Sequence, residues 1–368
     1  MKPPLKIAIL GCRGIPNCYG GFEQLAQQLA AGLVKKELDL TVYNSHHHTY
    51  QKKEWEGVKI IHCYDAENLL GTTGQFVYDL NCILHARKQN FDIILFLGYT
   101  SSSVWWRWFP KNALIISNMD GLEWKRSKYS KPVQQFLQYA EKLAVQHSDY
   151  LVADSVIIQS YLRKKYNCNS HYIAYGAALD TDENIAVLNT LNLAPGNYFM
   201  LMARMEPENN IDMILEGFHR SNATQQFIVL GKPGNSYGKS IVKKYGGDNR
   251  IHFAGAIYEP ETLHTLRKHC SIYFHGHSVG GTNPSLLEAM ADKALIAAHD
   301  NQFNRAVLGE DAYYFSTVAD TCQIIESGYS NEAYKENNFT KVKQQFNWPD
   351  IISQYLHFFE TCLIKGKK

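Results

Sequence analysis

The chain has 368 residues, 45% of them hydrophobic and 20% charged, with a net charge of +2. This is the balance of a soluble globular protein of about two domains, with no basic field for nucleic acid. No apolar run reaches the roughly 18 residues of a membrane span, and eight cysteines without a CxxC pair read as free thiols in a reducing cytoplasm.

The opening MKPPLK runs directly into a predicted strand, Lys6–Leu10, with no signal-peptide pattern. GCRGIPNCYGGFEQLAQ (Gly11–Gln27) follows, placing glycines and a proline between that strand and a predicted helix, Phe22–Lys35. Glycine there admits unusual dihedrals or close approach by another group. The helix would aim its free N–H groups and positive dipole end at the same spot. Such a loop suits a phosphate or other anion, and equally a plain tight turn. Cys12 and Cys18, which flank it, read as small buried residues.

Further strands are predicted at Leu40–Tyr43, Val58–His62, Asp92–Leu97, Ala113–Ser117, Tyr150–Ala153 and His171–Ile173. Helices Asn68–Lys88, Lys131–His147 and Ser155–Lys165 fall between them. From Gly176 to Asn197 the pattern lapses into Gly, Pro, Asn and Asp, as expected of a linker. It restarts with strands Tyr198–Ala203, Phe227–Leu230, Ile251–Phe253, Ile272–His275 and Leu295–Ala298. The helices of this half are Ile211–Arg220, Glu259–Lys268 and Pro284–Asp292; after Thr317 the chain reads as helical to Leu363, with a break near Trp348-Pro349. Alternation of this kind predicts an α/β chain of two doubly wound parallel-sheet domains. The expected division is 1–175, a linker at 176–197, 198–345, and a C-terminal helix at 346–368 packing back on the first domain. Ligands of such sheets bind at the carboxyl ends of the strands, so a cleft lined by loops of both domains is expected.

Three stretches beyond the opening loop fall at those ends: ISNMDGLEWKRSKY (Ile116–Tyr129), LMARMEPENN (Leu201–Asn210) and HGHSVGGTNPSLLEAMA (His275–Ala291). Singly each is a weak signal, since an arginine at a strand end is more often a surface ion pair. Together and in this order they resemble the retaining glycosyltransferases of family 4, with the GT-B architecture of two facing Rossmann-like domains. The wording RGIPNCYGGFE, DGLEWKRSKY, ARMEPENN and GHSVGGTNPSLLEAMA is most similar to a bacterial subgroup described as rhamnosyltransferases of polysaccharide assembly.

The resemblance implies roles residue by residue. Gly20 and Gly21 let the first loop approach the donor diphosphate, and Arg204 neutralises it. Glu288 accepts hydrogen bonds from the nucleotide ribose, and the amides around Gly281, Thr282 and Asn283 meet sugar or phosphate at a helix N-terminus. Ile257 lines the base pocket, and Asp120 stands where relatives carry a histidine beside the reacting sugar. Glu23 and Glu123 fall on the acceptor side. Two positions depart from the family pattern: Gly280 replaces a second glutamate eight places before Glu288, and Asn209 replaces a lysine that partners the arginine. Arg13 is a candidate for the missing charge, and backbone amides, His277 or water for the missing sugar contact.

The implied function is transfer of L-rhamnose from dTDP-L-rhamnose, with retention, to a hydroxyl of a growing, lipid-linked cell-surface glycan. The implied place is the cytoplasm, at the inner face of the membrane. Arginine, loop amides and helix ends stabilise the leaving diphosphate without a metal or other cofactor in this reading. An oxidoreductase is disfavoured, because the Gly-x-Gly-x-x-Gly fingerprint and its acidic partner are missing. A nucleotide-sugar epimerase of the same architecture and a non-catalytic nucleotide-sugar-binding relative are the alternatives. Three other motifs have plainer readings. His46–His48 reads as a polar loop rather than a metal site, and Asp180-Thr181-Asp182 as a chance match to a metal motif. Trp105–Phe109 (WWRWF) reads as a helix packed on the first sheet, in preference to a peripheral membrane contact.

Overall fold

The computed structural model describes residues 4–18, 20–119, 121–179, 181–328 and 330–367. It divides into two compact units: Met1–Trp124 with Ser130–Tyr175 and Trp348–Lys368, and Lys125–Tyr129 with Gly176–Asn347.

The first unit is built on β1 (Lys6–Leu10), β2 (Asp39–Ser45), β3 (Glu54–Trp55), β4 (Val58–Cys63), β5 (Ile93–Leu97), β6 (Leu114–Asn118), β7 (Tyr150–Ala153) and β8 (His171–Tyr172). Their order is β3-β4-β2-β1-β5-β6-β7-β8, parallel throughout except for β3, which pairs antiparallel with β4. Every residue of β5 (IILFL) is buried, as a strand covered on both faces requires. β1 sits between β2 and β5, with Ile7 opposite Leu40 on one side and Ile93 on the other.

The second unit carries β9 (Tyr198–Met202), β10 (Gln226–Leu230), β11 (Ile251–Gly255), β12 (Ile272–His275), β13 (Ile296–His299) and β14 (Tyr313–Phe315). The order β11-β10-β9-β12-β13-β14 is wholly parallel. Counted from β9 it is the doubly wound arrangement that reverses direction between its first and fourth strands. Phe199, Phe218, Phe227 and Phe274 meet in its core, with ring centroids 5.1–6.2 Å apart.

Several elements differ from expectation for local reasons. The predicted helix Asn68–Lys88 is broken into Glu67–Leu70, a 3-10 turn Gly71–Thr73 and a helix Gly74–Ala86. The break follows the backbone of Gly74, which packs directly on Ala66 and Glu67. Helices Ser236–Tyr245 and Gln302–Leu308 are additions, each begun by an asparagine cap, Asn235 and Asn301. Within 176–197 a short helix, Ala186–Thr190, packs in the second unit, and the Asn184 N–H donates to Thr265 Oγ1 at 2.7 Å. The helical C-terminal stretch is three helices, Val318–Glu326, Glu332–Gln345 and Trp348–Lys365. The last lies on helix Gly21–Val34 of the first unit, where Gly32 leaves room for Ile352.

Candidate functional site

The turning point of the second sheet lies between β9 and β12, and the loops leaving these strands are knitted together there. A Cβ on Gly276 would stand 2.0 Å from the Asn209 carbonyl oxygen, so only glycine lets the two backbones approach this closely. Asn210 donates its side-chain amide to the Gly276 carbonyl at 2.8 Å. The Ser278 N–H and hydroxyl both donate to the Glu208 carbonyl, at 3.0 and 2.8 Å. From β13, Asn301 and Asn304 each donate to the His277 carbonyl at 3.0 Å.

Arg204 leaves the end of β9 with an exposed side chain and no ion-pair partner among the described residues. Its neighbours are matched: Glu206 with Lys128 at 3.3 Å, and the buried Glu208 with Arg126 at 3.2 Å. Asn209 is buried and donates its amide to the Arg204 carbonyl at 2.7 Å, shaping the loop that carries the arginine. Beyond β12, His275 and His277 stack at 4.4 Å. His275 is wholly buried, and neither of its ring nitrogens has a hydrogen-bond partner among the described residues; His277 Nδ1 is likewise unpartnered. Burial pushes His275 down to about 3. His277 also falls well below the ordinary histidine value, through burial and the nearby His275, Arg204 and Arg126.

Gly280 has φ +143°, with nothing close to its Cβ position. The backbone there is one that a glutamate adopts only under strain, which accounts for the glycine. Gly281 and the buried Thr282 lead into Asn283, which caps helix Pro284–Ala291 by accepting from the Ser285 N–H at 3.0 Å. Glu288 lies one turn in, 3.0 Å from Arg267 Nη1. Ile257 is half-buried just beyond β11.

In the first unit, Gly11 has φ +87°, and a Cβ there would lie 2.5 Å from the Leu97 carbonyl oxygen. This glycine is required by a tight strand exit. Glu23 is buried and accepts the Arg13 N–H at 2.8 Å, so it braces the loop ahead of its own helix. Gly20 is the residue before that helix, and Gly21 its first. Arg13 is not a spare cation: its guanidinium grips Glu67 through two contacts, at 3.0 and 2.6 Å. Glu123 is half-buried in the short turn Glu123–Lys125. Asp120 and Asp180 lie outside the described residues.

His46 accepts the Asp65 N–H at 2.9 Å, and His48 accepts the Tyr50 N–H and bonds the Pro16 carbonyl, both at 3.1 Å. These histidines hold loops. WWRWF forms a 3-10 helix, Ser103–Trp108, with Trp105 and Trp106 against the first unit's core, while Trp108 is 48% exposed. Among the described residues, no helix is long and apolar enough to cross a membrane.

The sequence reading passed over Glu208, Arg267, Asp292 and His275. The first three are charged side chains buried against partners far along the chain, which no local spacing reveals. His275 alone had a signal, as a histidine ending an apolar strand.

Residues 5–178 match the model of a domain of unknown function, DUF1972, and residues 190–334 match the glycosyl transferases group 1 family. An uncharacterized glycosyltransferase of Methanocaldococcus jannaschii is 25% identical, over 60% of this chain and 61% of its own length. Among solved structures, sucrose-phosphate synthase from Thermosynechococcus elongatus superposes with a TM-score of 0.82 at 16% identity, covering 98% of this chain and all of that one. Anabaena HepE in complex with UDP and glucose gives 0.76 at 14% identity, over 97% and 100%. The chain thus has the GT-B fold of two parallel-sheet α/β units, and its second unit carries the match to the group 1 glycosyl transferases.

Proposed function

We propose that the protein is a glycosyltransferase that takes a nucleotide-sugar donor on its second unit, with dTDP-L-rhamnose as that donor. The observation that carries this reading is the grouping at one sheet edge of Arg204, the capped N-terminus of helix Pro284–Ala291, and Glu288. Arg204 and the helix amides suit a diphosphate, whose charge grows as the sugar departs. Glu288 suits the hydroxyls of the pentose. HepE, a neighbour in fold, binds UDP and UDP-glucose, which supports a nucleotide-sugar ligand here.

In this reading the sugar moves with retention: the departing phosphate helps to deprotonate the acceptor hydroxyl on the same face, and Asp120 orients the oxocarbenium-like ring. The acceptor is a lipid-linked glycan at the inner face of the membrane. At Gly280 the positive-φ backbone, which a glutamate would adopt only under strain, supports a donor pocket without the family's second carboxylate. A 6-deoxy sugar presents a methyl group that needs no polar partner, whereas an unpaired hydroxyl in a closed site costs about 1–3 kcal/mol. Competition between donors tests the assignment. UDP-glucose and UDP-N-acetylglucosamine should be poorer than dTDP-L-rhamnose by at least about tenfold in kcat/KM, roughly 1.4 kcal/mol. Equal or better use of a UDP-sugar overturns the rhamnosyl assignment.

A further inference from the structure

Two loops leave neighbouring strands of the second sheet side by side. β9 and β10 are parallel and in register as far as Met202 and Leu230, which stand opposite each other. Beyond that pair the two chains stay joined. The Ala203 N–H donates to the Leu230 carbonyl at 3.0 Å, and a Cβ on Gly231 would stand 2.2 Å from the Ala203 carbonyl oxygen. Asn235 donates its side-chain amide to the Met205 carbonyl at 2.6 Å, while its oxygen accepts the Gly238 N–H and caps helix Ser236–Tyr245. Residues 203–205 are therefore pinned to residues 231–235 at both ends.

Between these pins each loop carries one exposed cation, Arg204 on the first and Lys232 on the second. Each stands two residues past the register pair. Ala203 and Met205, on either side of the arginine, are buried, so the backbone that carries it is fixed. Neither Arg204 nor Lys232 has an ion-pair partner for its side chain among the described residues. The carboxylates further along the first loop, Glu206 and Glu208, are matched by Lys128 and Arg126, and Asn209 brings no charge. Adjoining strands lie about 4.8 Å apart, so two like charges at equivalent positions on them repel. An anion set against both turns that repulsion into attraction.

We propose that Lys232 is a second cation of the donor site, which holds the diphosphate together with Arg204 from the neighbouring strand. The inference rests on the reading that Arg204 meets the diphosphate of a nucleotide sugar. Arg204 offers a planar fork of donors in fixed geometry; Lys232 adds a compact charge on a flexible stem, which follows the phosphates without fixing their orientation.

Calorimetric titration of the whole protein with dTDP and with UDP tests it, read on whichever nucleotide binds more tightly. Lys232→Gln keeps the polar stem and removes the charge, and should weaken that nucleotide about tenfold. Lys232→Arg restores the charge and should stay within about threefold of wild type. Added salt should weaken the wild type more than Lys232→Gln, because it screens a charge that the variant lacks. Without nucleotide, Lys232→Gln should melt no lower than wild type, since it gives up a repulsion and no ion pair. With saturating nucleotide its rise in Tm should be the smaller of the two. A merely structural lysine would lower the Tm of the ligand-free protein and leave nucleotide affinity intact, and that result overturns the proposal. Equal weakening by Lys232→Gln and Lys232→Arg overturns it too, because charge would then not be what matters. Arg204→Gln separates the two layers. If it weakens the nucleotide while Lys232→Gln does not, only the Lys232 inference fails. If neither variant changes the affinity, the diphosphate does not lie at these strand ends, and the underlying assignment fails with it.

Discussion

Arg204 is distinguished by its surroundings more than by its position. Glu206 and Glu208, two and four residues on, have cationic partners in Lys128 and Arg126, so among the described residues the charge of Arg204 is left available for an anion. Arg204→Ala should therefore act on the transition state, where the leaving diphosphate gathers charge, and lower kcat by about a hundredfold with a modest change in donor KM. Steady-state kinetics check this, and an intact kcat would remove Arg204 from the diphosphate. Glu288→Ala should do the reverse, raising donor KM about tenfold with kcat little changed. His275 supports a prediction about pH. Its pKa is held near 3 by burial, against about 6.5 in the unfolded chain. Between these values the unfolded state binds one more proton than the folded state, so this contribution is complete above pH 6.5 and is lost progressively as pH falls towards 3. The slope is about 1.4 kcal/mol per pH unit for one proton. Denaturant titrations between pH 7 and 4 should show His275→Phe losing stability less steeply than wild type; equal slopes would mean that His275 does not stay neutral.

At the scale of elements, the join between the β9 and β12 loops is the most sensitive point. Gly276→Ala places a methyl group 2.0 Å from the Asn209 carbonyl oxygen and 2.9 Å from Ile214 Cδ1. The loops must part, at a cost of roughly 1–3 kcal/mol or more, and donor affinity should fall together with Tm in a melt and a nucleotide titration. Full affinity in this variant would mean that the join does not shape the site. The strands around the join were readable because a parallel strand covered on both faces must be largely apolar, as Phe227–Leu230 and Ile272–Phe274 are. The two-residue β3 and the edge strand β14, with its half-buried tyrosines, lack that run and were not legible. At the site, Arg204, Asn283 and Glu288 stand in contiguous motifs. The pairing of Arg13 with Glu67 was hidden, since the two are 54 residues apart. Arg267 stayed hidden for a similar reason: its carboxylates lie 21 and 25 residues on, beyond an intervening strand.

At the scale of the whole chain, the first unit is completed by its most distant segment. The polypeptide leaves that unit after Tyr175 and rejoins it at Trp348. Helix Trp348–Lys365 then contributes Trp348, Ile351, Tyr355, Phe358 and Phe359, all buried. Phe358 stacks on His171 at 4.6 Å, and the Tyr150 hydroxyl donates to the Gly366 carbonyl at 2.7 Å, so β7 and β8 are both covered by it. Burying a large apolar side chain contributes about 1.5–3 kcal/mol, so these five together contribute roughly 10 kcal/mol. That is comparable with the roughly 5–15 kcal/mol by which a typical domain is stable. A chain ending at Asn347 should therefore keep a folded second unit and lose the first. Two measurements check this on the truncated protein. Hydrogen exchange should show amides of β1 and β5 unprotected and those of β9 and β12 still protected, and calorimetry should retain nucleotide binding while glycosyl transfer is abolished. Protection of β1 and β5 equal to that of the full chain would mean that the first unit stands without its last helix, and that this helix serves some other purpose.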